Sequence, residues 1–188
     1  MAKAKAKKPT EEVPKAAEQQ QPTAKVLEPA EVHALFGLPG PYEPPPAPIP
    51  TKGYTTFWDA GMSIQTLVKK QPKLLYLRDF SERFAKDSDS WKWRQIRLTP
   101  IEPNLTFAEQ EKKLITGDKP AAARELVTFL ILHYLTTGER CSDTMESGSR
   151  VIVGPFHELG LDIAHVSDEW KSPSICLSAV CTPVPRRK

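Results

Sequence analysis

Residues 119–137 contain the densest apolar stretch of the sequence, and the rest of the chain is expected to pack around it. Its densest part, residues 126–135 (LVTFLILHYL), repeats apolar pairs at helical spacing. Asp118 can cap the start, Pro120 suits a first turn, and Gly138 suits a left-handed C-terminal cap. A membrane span needs roughly 20 consecutive apolar residues, and this run is shorter and flanked by charged residues. The pattern therefore predicts a buried core helix and not a membrane anchor.

Proline divides the chain into two unequal parts. Eleven of the 19 prolines lie in the first 50 residues. Residues 1–25 are rich in Lys, Ala, Glu and Gln, and they hold too little apolar surface to offset the entropy lost on ordering. We therefore predict a disordered Lys/Ala/Pro-rich arm over residues 1–51, a single α+β domain over 52–182, and an exposed basic tail over 183–188.

An apolar island interrupts the predicted arm at residues 26–38. The sequence there can form a short helix that ends near Gly37, and an apolar helix inside a flexible arm docks on a partner or on its own domain. The predicted partner-binding residues are Val32, Leu35, Phe36 and Leu38.

Residues 39–50 hold seven prolines in twelve positions. This composition favours an extended, polyproline-like conformation. Ligands of SH3 and WW domains have the same composition, but plain linkers do too. We interpret the segment as a linker between the apolar island and the domain.

Several shorter helices are predicted in the domain, near 63–70, 73–86 and 107–116. The second depends on a stripe of apolar residues at spacings of three and four, which are Leu74, Leu77, Phe80 and Phe84. The third begins with Thr106 and Glu109 in a capping box. Together with the helix at 119–137, the third helix would form a helical hairpin.

Strand patterns occur at 91–98 and again after Gly138. Alternation in residues 91–94 places two indoles on one face and two cations on the other. The register inverts near Gln95, which predicts a bulge or a strand end there. Period-two patterns in 141–181 indicate three or four more strands. The predicted fold is α+β, with the hairpin and the other helices packed on a small antiparallel sheet.

Nucleic-acid binding is one alternative function. Residues 52–98 carry ten Lys and Arg against five Asp and Glu, and the N-terminus adds four more lysines. Aromatic faces beside cations are typical of single-strand platforms. The candidate residues are Lys3, Lys5, Lys7, Lys8, Trp91, Lys92, Trp93, Arg94 and Arg97.

A small hydrolase or metal enzyme is the second alternative. Possible zinc ligands lie in the last 56 residues without a closely spaced pair, and they are His133, Cys141, His157, His165, Cys176 and Cys181. Acid–base chemistry could use charged loop residues, which are Asp143, His157, Glu158 and Asp162. A metalloprotease helix is excluded because Leu161 stands where the second histidine is required. We assign no catalytic residue, no metal and no cofactor.

The preferred function from sequence is a non-enzymatic protein-protein binding or adaptor module. The arm has the composition of interaction segments, and no catalytic motif is complete. The three cysteines are odd in number and include no CxxC pair, and no signal peptide precedes them. Reduced thiols and a cytoplasmic location are therefore expected, without membrane association.

Overall fold

The computed structural model describes residues 26–40, 43–77, 83–98, 107–114, 117–141, 145–147, 151–165 and 180–183. The helices in these residues are α1 (Pro29–Leu35), α2 (Ile64–Lys70), α3 (Arg83–Lys86), α4 (Phe107–Lys112) and α5 (Ala123–Thr137). The strands are β1 (Thr55–Asp59), β2 (Leu75–Leu77), β3 (Lys92–Arg97), β4 (Lys119–Pro120), β5 (Met145–Glu146), β6 (Val151–His157), β7 (Gly160–His165) and β8 (Val180–Pro183).

The strands form two four-stranded sheets, so the single antiparallel sheet predicted from sequence is wrong. Sheet A has the order β1-β3-β8-β4 and sheet B has the order β2-β7-β6-β5. All pairs in sheet A are antiparallel, whereas β2 joins β7 in parallel. The α+β class is confirmed, with helices and small sheets in one chain.

Helix α5 supplies the largest share of the core. Residues 123–132 are buried, with Leu130 at 2 % and Ile131 at 0 % exposure. The helix ends at Gly138, whose φ of 73° is left-handed as predicted.

The start of α5 lies at Ala123, four residues later than predicted. Lys119–Pro120 pairs with β8 as a short strand. The Glu125 carboxylate accepts the Ala122 N–H at 2.9 Å and caps the first turn. The predicted cap Asp118 is instead the acceptor for the Tyr54 hydroxyl at 2.7 Å.

Two further helix predictions have different outcomes. Helix α2 follows the prediction for 63–70, and its cap Ser63 accepts the Thr66 N–H at 3.2 Å. The single helix predicted over 73–86 is wrong, because 75–77 form a strand and only 83–86 are helical. The helical hairpin is not confirmed, since α4 ends at Lys112 and β4 precedes α5.

The apolar island belongs to the core of the described unit. Val32 is 0 % and Phe36 is 2 % exposed, and both contact the main hydrophobic cluster. The packed unit therefore includes residues N-terminal to the boundary predicted at 52. Residues 1–25 and 184–188 lie outside the described residues, so the predictions for the arm's start and for the basic tail stay predictions.

Candidate peptide-binding face

Sheet A presents one face that we call the tryptophan face, made by Thr56 and Trp58 of β1 with Trp93 and Gln95 of β3. Trp58 lies opposite Trp93 and Thr56 lies opposite Gln95 in the antiparallel register. Opposed residues of such a pair share a face. The two indole rings contact each other edge to face, with centroids 5.3 Å apart.

The bulge or strand end predicted near Gln95 is absent, since β1 and β3 pair without a break from Thr55 to Asp59 and β3 continues to Arg97. Both Gln95 and Ile96 are buried because both faces of the sheet are covered. The predicted separation of indoles from cations holds for Trp93 and Arg94. Trp93 lies on the tryptophan face, and Arg94 contacts α5 on the opposite face of the sheet.

Residues 43–50, which we call the proline strap, cover the tryptophan face. The Trp93 indole N–H donates to the Pro45 carbonyl at 2.8 Å, and the Gln95 amide N–H donates to the Ile49 carbonyl at 2.9 Å. Trp93 and Gln95 are only 4 % and 5 % exposed. The segment interpreted from sequence as a linker is thus a ligand of its own sheet.

The strap is held by its backbone more than by its side chains. Among residues 43–50 only Pro48 is partly buried, and Ile49 is 75 % exposed. Hydrogen bonds to two carbonyls therefore provide most of the described attachment.

Residues outside the strap orient the Gln95 amide. The Thr51 hydroxyl donates to its carbonyl oxygen at 2.6 Å, and its amide nitrogen also lies 3.4 Å from the Thr56 hydroxyl. Thr51 begins the turn into β1, where its carbonyl accepts the Tyr54 N–H at 2.9 Å. These contacts come from the sheet and its entry turn, outside the strap.

Helix α1 docks beside the same face through His33, which is 1 % exposed. Its Nδ1 donates to the Pro39 carbonyl at 2.5 Å, and its Nε2 accepts the Trp58 indole N–H at 3.1 Å. The ring also meets Trp91 edge-on, with centroids 4.5 Å apart. One histidine thereby links the helix, the beginning of the proline-rich segment and the sheet.

The four residues predicted to bind a partner have different environments. Val32 and Phe36 are buried within this chain, Leu38 is partly buried, and Leu35 is 40 % exposed. The island therefore docks on its own domain, which is one of the two alternatives that the sequence left open. In this conformation a partner could reach Leu35 but not Val32 or Phe36.

The cations proposed for nucleic acid are engaged with carboxylates. Lys92 pairs with Asp89 at 2.5 Å, and Arg97 pairs with Asp118 at 3.3 Å. Arg94 pairs with Glu125 at 2.6 Å on the α5 side of the sheet. Trp93 is covered and Trp91 is 42 % exposed. Lys3, Lys5, Lys7 and Lys8 lie outside the described residues.

A buried ion network joins β1, β3 and α5 behind the tryptophan face. Arg124 binds both oxygens of Asp59 at 2.7 and 2.8 Å, and Arg94 reaches the same carboxylate at 3.2 Å. Asp59 is 0 % exposed. Glu125, which pairs with Arg94 at 2.6 Å, adds a second carboxylate, so two cations and two carboxylates join the strands to the helix.

Asp89 closes the network at the surface. Partial burial acts to raise the pKa of its carboxyl, but hydrogen bonds from Lys92 and the Ser90 N–H, with the charges of Lys92 and Arg94, lower the pKa to about 2. The loop around it packs against the chain after β1, where the Asp89 N–H donates to the Gly61 carbonyl at 3.0 Å.

Those residues considered for metal or acid–base chemistry that the structure describes lie apart from one another. His157 and Glu158 are exposed at the β6–β7 turn, and the His157 Nδ1 accepts the Leu159 N–H at 3.2 Å. The His133 Nε2 lies 3.5 Å from the Glu139 carboxylate, and the Cys141 side chain is partly buried. Within the described residues no three His, Cys, Asp or Glu side chains are placed to hold a metal ion. Asp143, Cys176 and the side chains of His165 and Cys181 lie outside them.

A small cleft in the described region lies where the chain before α1 crosses β1 and α5. Its volume is about 20 Å³, and apolar residues with Thr56, His133 and Thr136 line it. That space admits a water molecule or two, far less than the several hundred Å³ of a small-molecule site.

Comparisons with protein-family models, with curated proteins and with solved structures found no match. Across the described ranges, no helix has the length and apolar character needed to cross a membrane. The site has therefore to be interpreted from its own contacts.

Sequence reasoning missed Gln95 and the strap as parts of one site. The available signal was the polar Gln95 at a position where alternation with Trp93 called for a buried side chain. A buried amide needs hydrogen-bond partners, and a proline-rich segment offers carbonyls in plenty.

Proposed function

We propose that this chain is a non-enzymatic protein-binding module whose tryptophan face holds an extended peptide segment. The observation that supports it best is the pair of side-chain donors, Trp93 and Gln95, bonded to the Pro45 and Ile49 carbonyls. Aromatic side chains and donors aimed at backbone carbonyls are the means by which proteins bind extended proline-containing peptides.

The attachment is suited to exchange. A typical hydrogen bond contributes a net 0.5–1.5 kcal/mol or so, and the strap adds little side-chain burial. Helix α1, in contrast, buries Val32 and Phe36. Release of the strap would break these two hydrogen bonds and uncover Trp93, whereas release of the helix would also expose Val32 and Phe36, so the strap is the more readily exchanged of the two.

The two alternative functions have less support. The cations nearest the indoles are paired with carboxylates, and the covered Trp93 offers no stacking surface while the strap is bound. Among the residues considered for metal or acid–base chemistry, His157 and Glu158 lie at the β6–β7 turn and His133 lies on α5, so their placement gives the enzyme alternative less support.

The test uses the full chain with Pro45→Gly and Pro48→Gly, which weakens the strap by raising its conformational entropy when free. A fluorescent peptide with the sequence of residues 43–51 is titrated, and anisotropy is measured. We expect saturable binding that is tighter to the weakened chain than to the parent, because the intact strap competes.

The matched controls are Gln95→Ala, which removes a donor, and Gln65→Ala on α2, which removes an amide outside this face. Only Gln95→Ala should weaken binding of the peptide. If the peptide bound neither the parent nor the folded, weakened chain, the proposed function would be wrong.

A further inference from the structure

We infer that the partner is a proline-rich, extended segment of another protein, which replaces residues 43–50 on the tryptophan face. This inference rests on the proposed function and specifies the chemical class of the peptide.

The face offers hydrogen-bond donors to its ligand. The Trp93 indole has a donor and no acceptor, and the Gln95 carbonyl oxygen is already engaged by Thr51. A ligand that supplies two backbone carbonyls, as the strap does, therefore satisfies both donors and needs no N–H of its own. Proline-rich segments meet this condition, because each proline retains its carbonyl and lacks the N–H.

The positions of the two accepting carbonyls define the ligand further. They belong to Pro45 and Ile49, four residues apart, and the half-buried residue between them is Pro48. The remaining side chains of 43–47 are exposed. We expect the face to require an extended backbone, to favour a proline just before the second carbonyl, and to tolerate varied residues elsewhere.

The face is preorganised for this ligand. Thr51 and Thr56 orient the Gln95 amide, and the ring of Trp58 packs against that of Trp93. None of these contacts involves the strap. A proline-rich ligand is stiff as well, so neither partner loses much conformational freedom on binding.

Only a short part of the chain must move for the exchange. Helix α1 stays fixed by Val32 and Phe36, and the turn after the strap is fixed by the Thr51 and Tyr54 backbone bond. The strap is thus tethered at both ends and competes with an effective concentration on the order of millimolar. A partner must exceed that competition, which makes the strap an internal inhibitor.

The experiment titrates three peptides into the ¹⁵N-labelled parent chain and into the full chain with Pro45→Gly and Pro48→Gly. The peptides are residues 43–51, a decaproline, and residues 43–51 with every proline replaced by alanine. The readout is the Trp93 indole N–H signal, assigned with Trp93→Phe. Light scattering records the molecular mass at each step.

We expect decaproline to shift the Trp93 signal and to bind within about tenfold of the 43–51 peptide. The alanine peptide should bind at least tenfold more weakly, and every peptide that binds should favour the weakened chain. Binding of the 43–51 peptide without decaproline would overturn the inference and leave the proposed function standing.

Two other outcomes would also overturn it. Equal binding of the alanine peptide would mean that the face does not select proline. A doubled mass in the weakened chain without peptide would identify a second copy of this chain as the occupant. Failure of all three peptides to bind the folded chain would contradict the proposed function as well.

Discussion

Leu35 and Phe36 are adjacent apolar residues at the end of α1, and their replacement by alanine tests whether the island is docked as described. Phe36 is 2 % exposed and Leu35 is 40 % exposed. Truncating a buried phenylalanine costs about 3–5 kcal/mol. Truncating the half-exposed leucine should cost about 1 kcal/mol or less. We therefore expect Phe36→Ala to lower the free energy of unfolding by about 2 kcal/mol or more beyond the effect of Leu35→Ala.

Urea unfolding followed by circular dichroism measures both free energies. For a chain of this size 1 kcal/mol corresponds to about 2–4 °C in Tm, so thermal unfolding should separate the variants by roughly 5 °C or more. If α1 opens without global unfolding, the lost stability should appear as faster amide hydrogen exchange in residues 30–36. Equal, small effects of both substitutions on unfolding and on exchange would refute the docked position of Phe36.

The remaining predictions concern the ion network and the loop beside it. Asp59→Asn should lower the free energy of unfolding in urea by about 3–5 kcal/mol, because it leaves buried guanidinium groups without their carboxylate. The control Asp87→Asn, at an exposed position, should change that free energy by less than about 0.5 kcal/mol. Equal effects of the two substitutions would mean that the network does not stabilise the fold. The pKa of Asp89 is about 2 in the folded chain against an ordinary 3.8, so its contribution is present above pH 3.8 and is lost as the pH falls towards 2. Since this side chain is about one third exposed, solvent screening limits the stability lost in acid to about 1 kcal/mol. Asp89→Asn should remove that part of the dependence of stability on pH. An unchanged pH profile of unfolding in this variant would contradict the lowered pKa. Gly61→Ala should destabilise the chain by roughly 3 kcal/mol or more, because an added Cβ would lie 2.1 Å from the Asp89 carbonyl oxygen. At Gly138 an added Cβ meets no neighbouring atom, so Gly138→Ala should lower stability only by the strain of a left-handed alanine, about 1–2 kcal/mol. A similar loss of stability at both glycines would show that Gly61 does not lie close to the Asp89 backbone.

Local sequence signals predicted the elements whose causes are local. A helix formed within the predicted residues 63–70, Gly138 ended α5 as expected, and the alternation around Trp93 marked β3. Each of these depends on residues within one or two turns of chain.

Elements set by distant partners were predicted poorly. Residues 75–77 have a helix-like spacing with their neighbours, but Leu75 pairs with Leu161 in a parallel ladder that no local pattern reveals. Lys119–Pro120 likewise leaves the helix because β8 pairs with it more than 60 residues later in the sequence. Propensity is a weak prior, and tertiary pairing overrides it.

The candidate site escaped prediction for a related reason. A proline-rich segment shows no periodicity, so its backbone carbonyls cannot be assigned to a partner from composition. Their donors, Trp93 and Gln95, lie 48 and 46 residues from their acceptors along the chain. The apolar island was predictable from its composition, but the sequence could not decide between docking on its own domain and docking on a partner.

The proposed peptide-binding face depends on the contact between Trp93 and Pro45, and a nuclear Overhauser measurement on the ¹⁵N-labelled full chain can detect that contact. The indole N–H of Trp93 donates to the Pro45 carbonyl at 2.8 Å. We expect cross-peaks from the indole proton to protons of Pro45, and their loss together with faster solvent exchange in the chain with Pro45→Gly and Pro48→Gly. A Trp93 indole proton that shows no cross-peak to the strap and exchanges freely with solvent in the parent chain would mean that the strap does not occupy the tryptophan face.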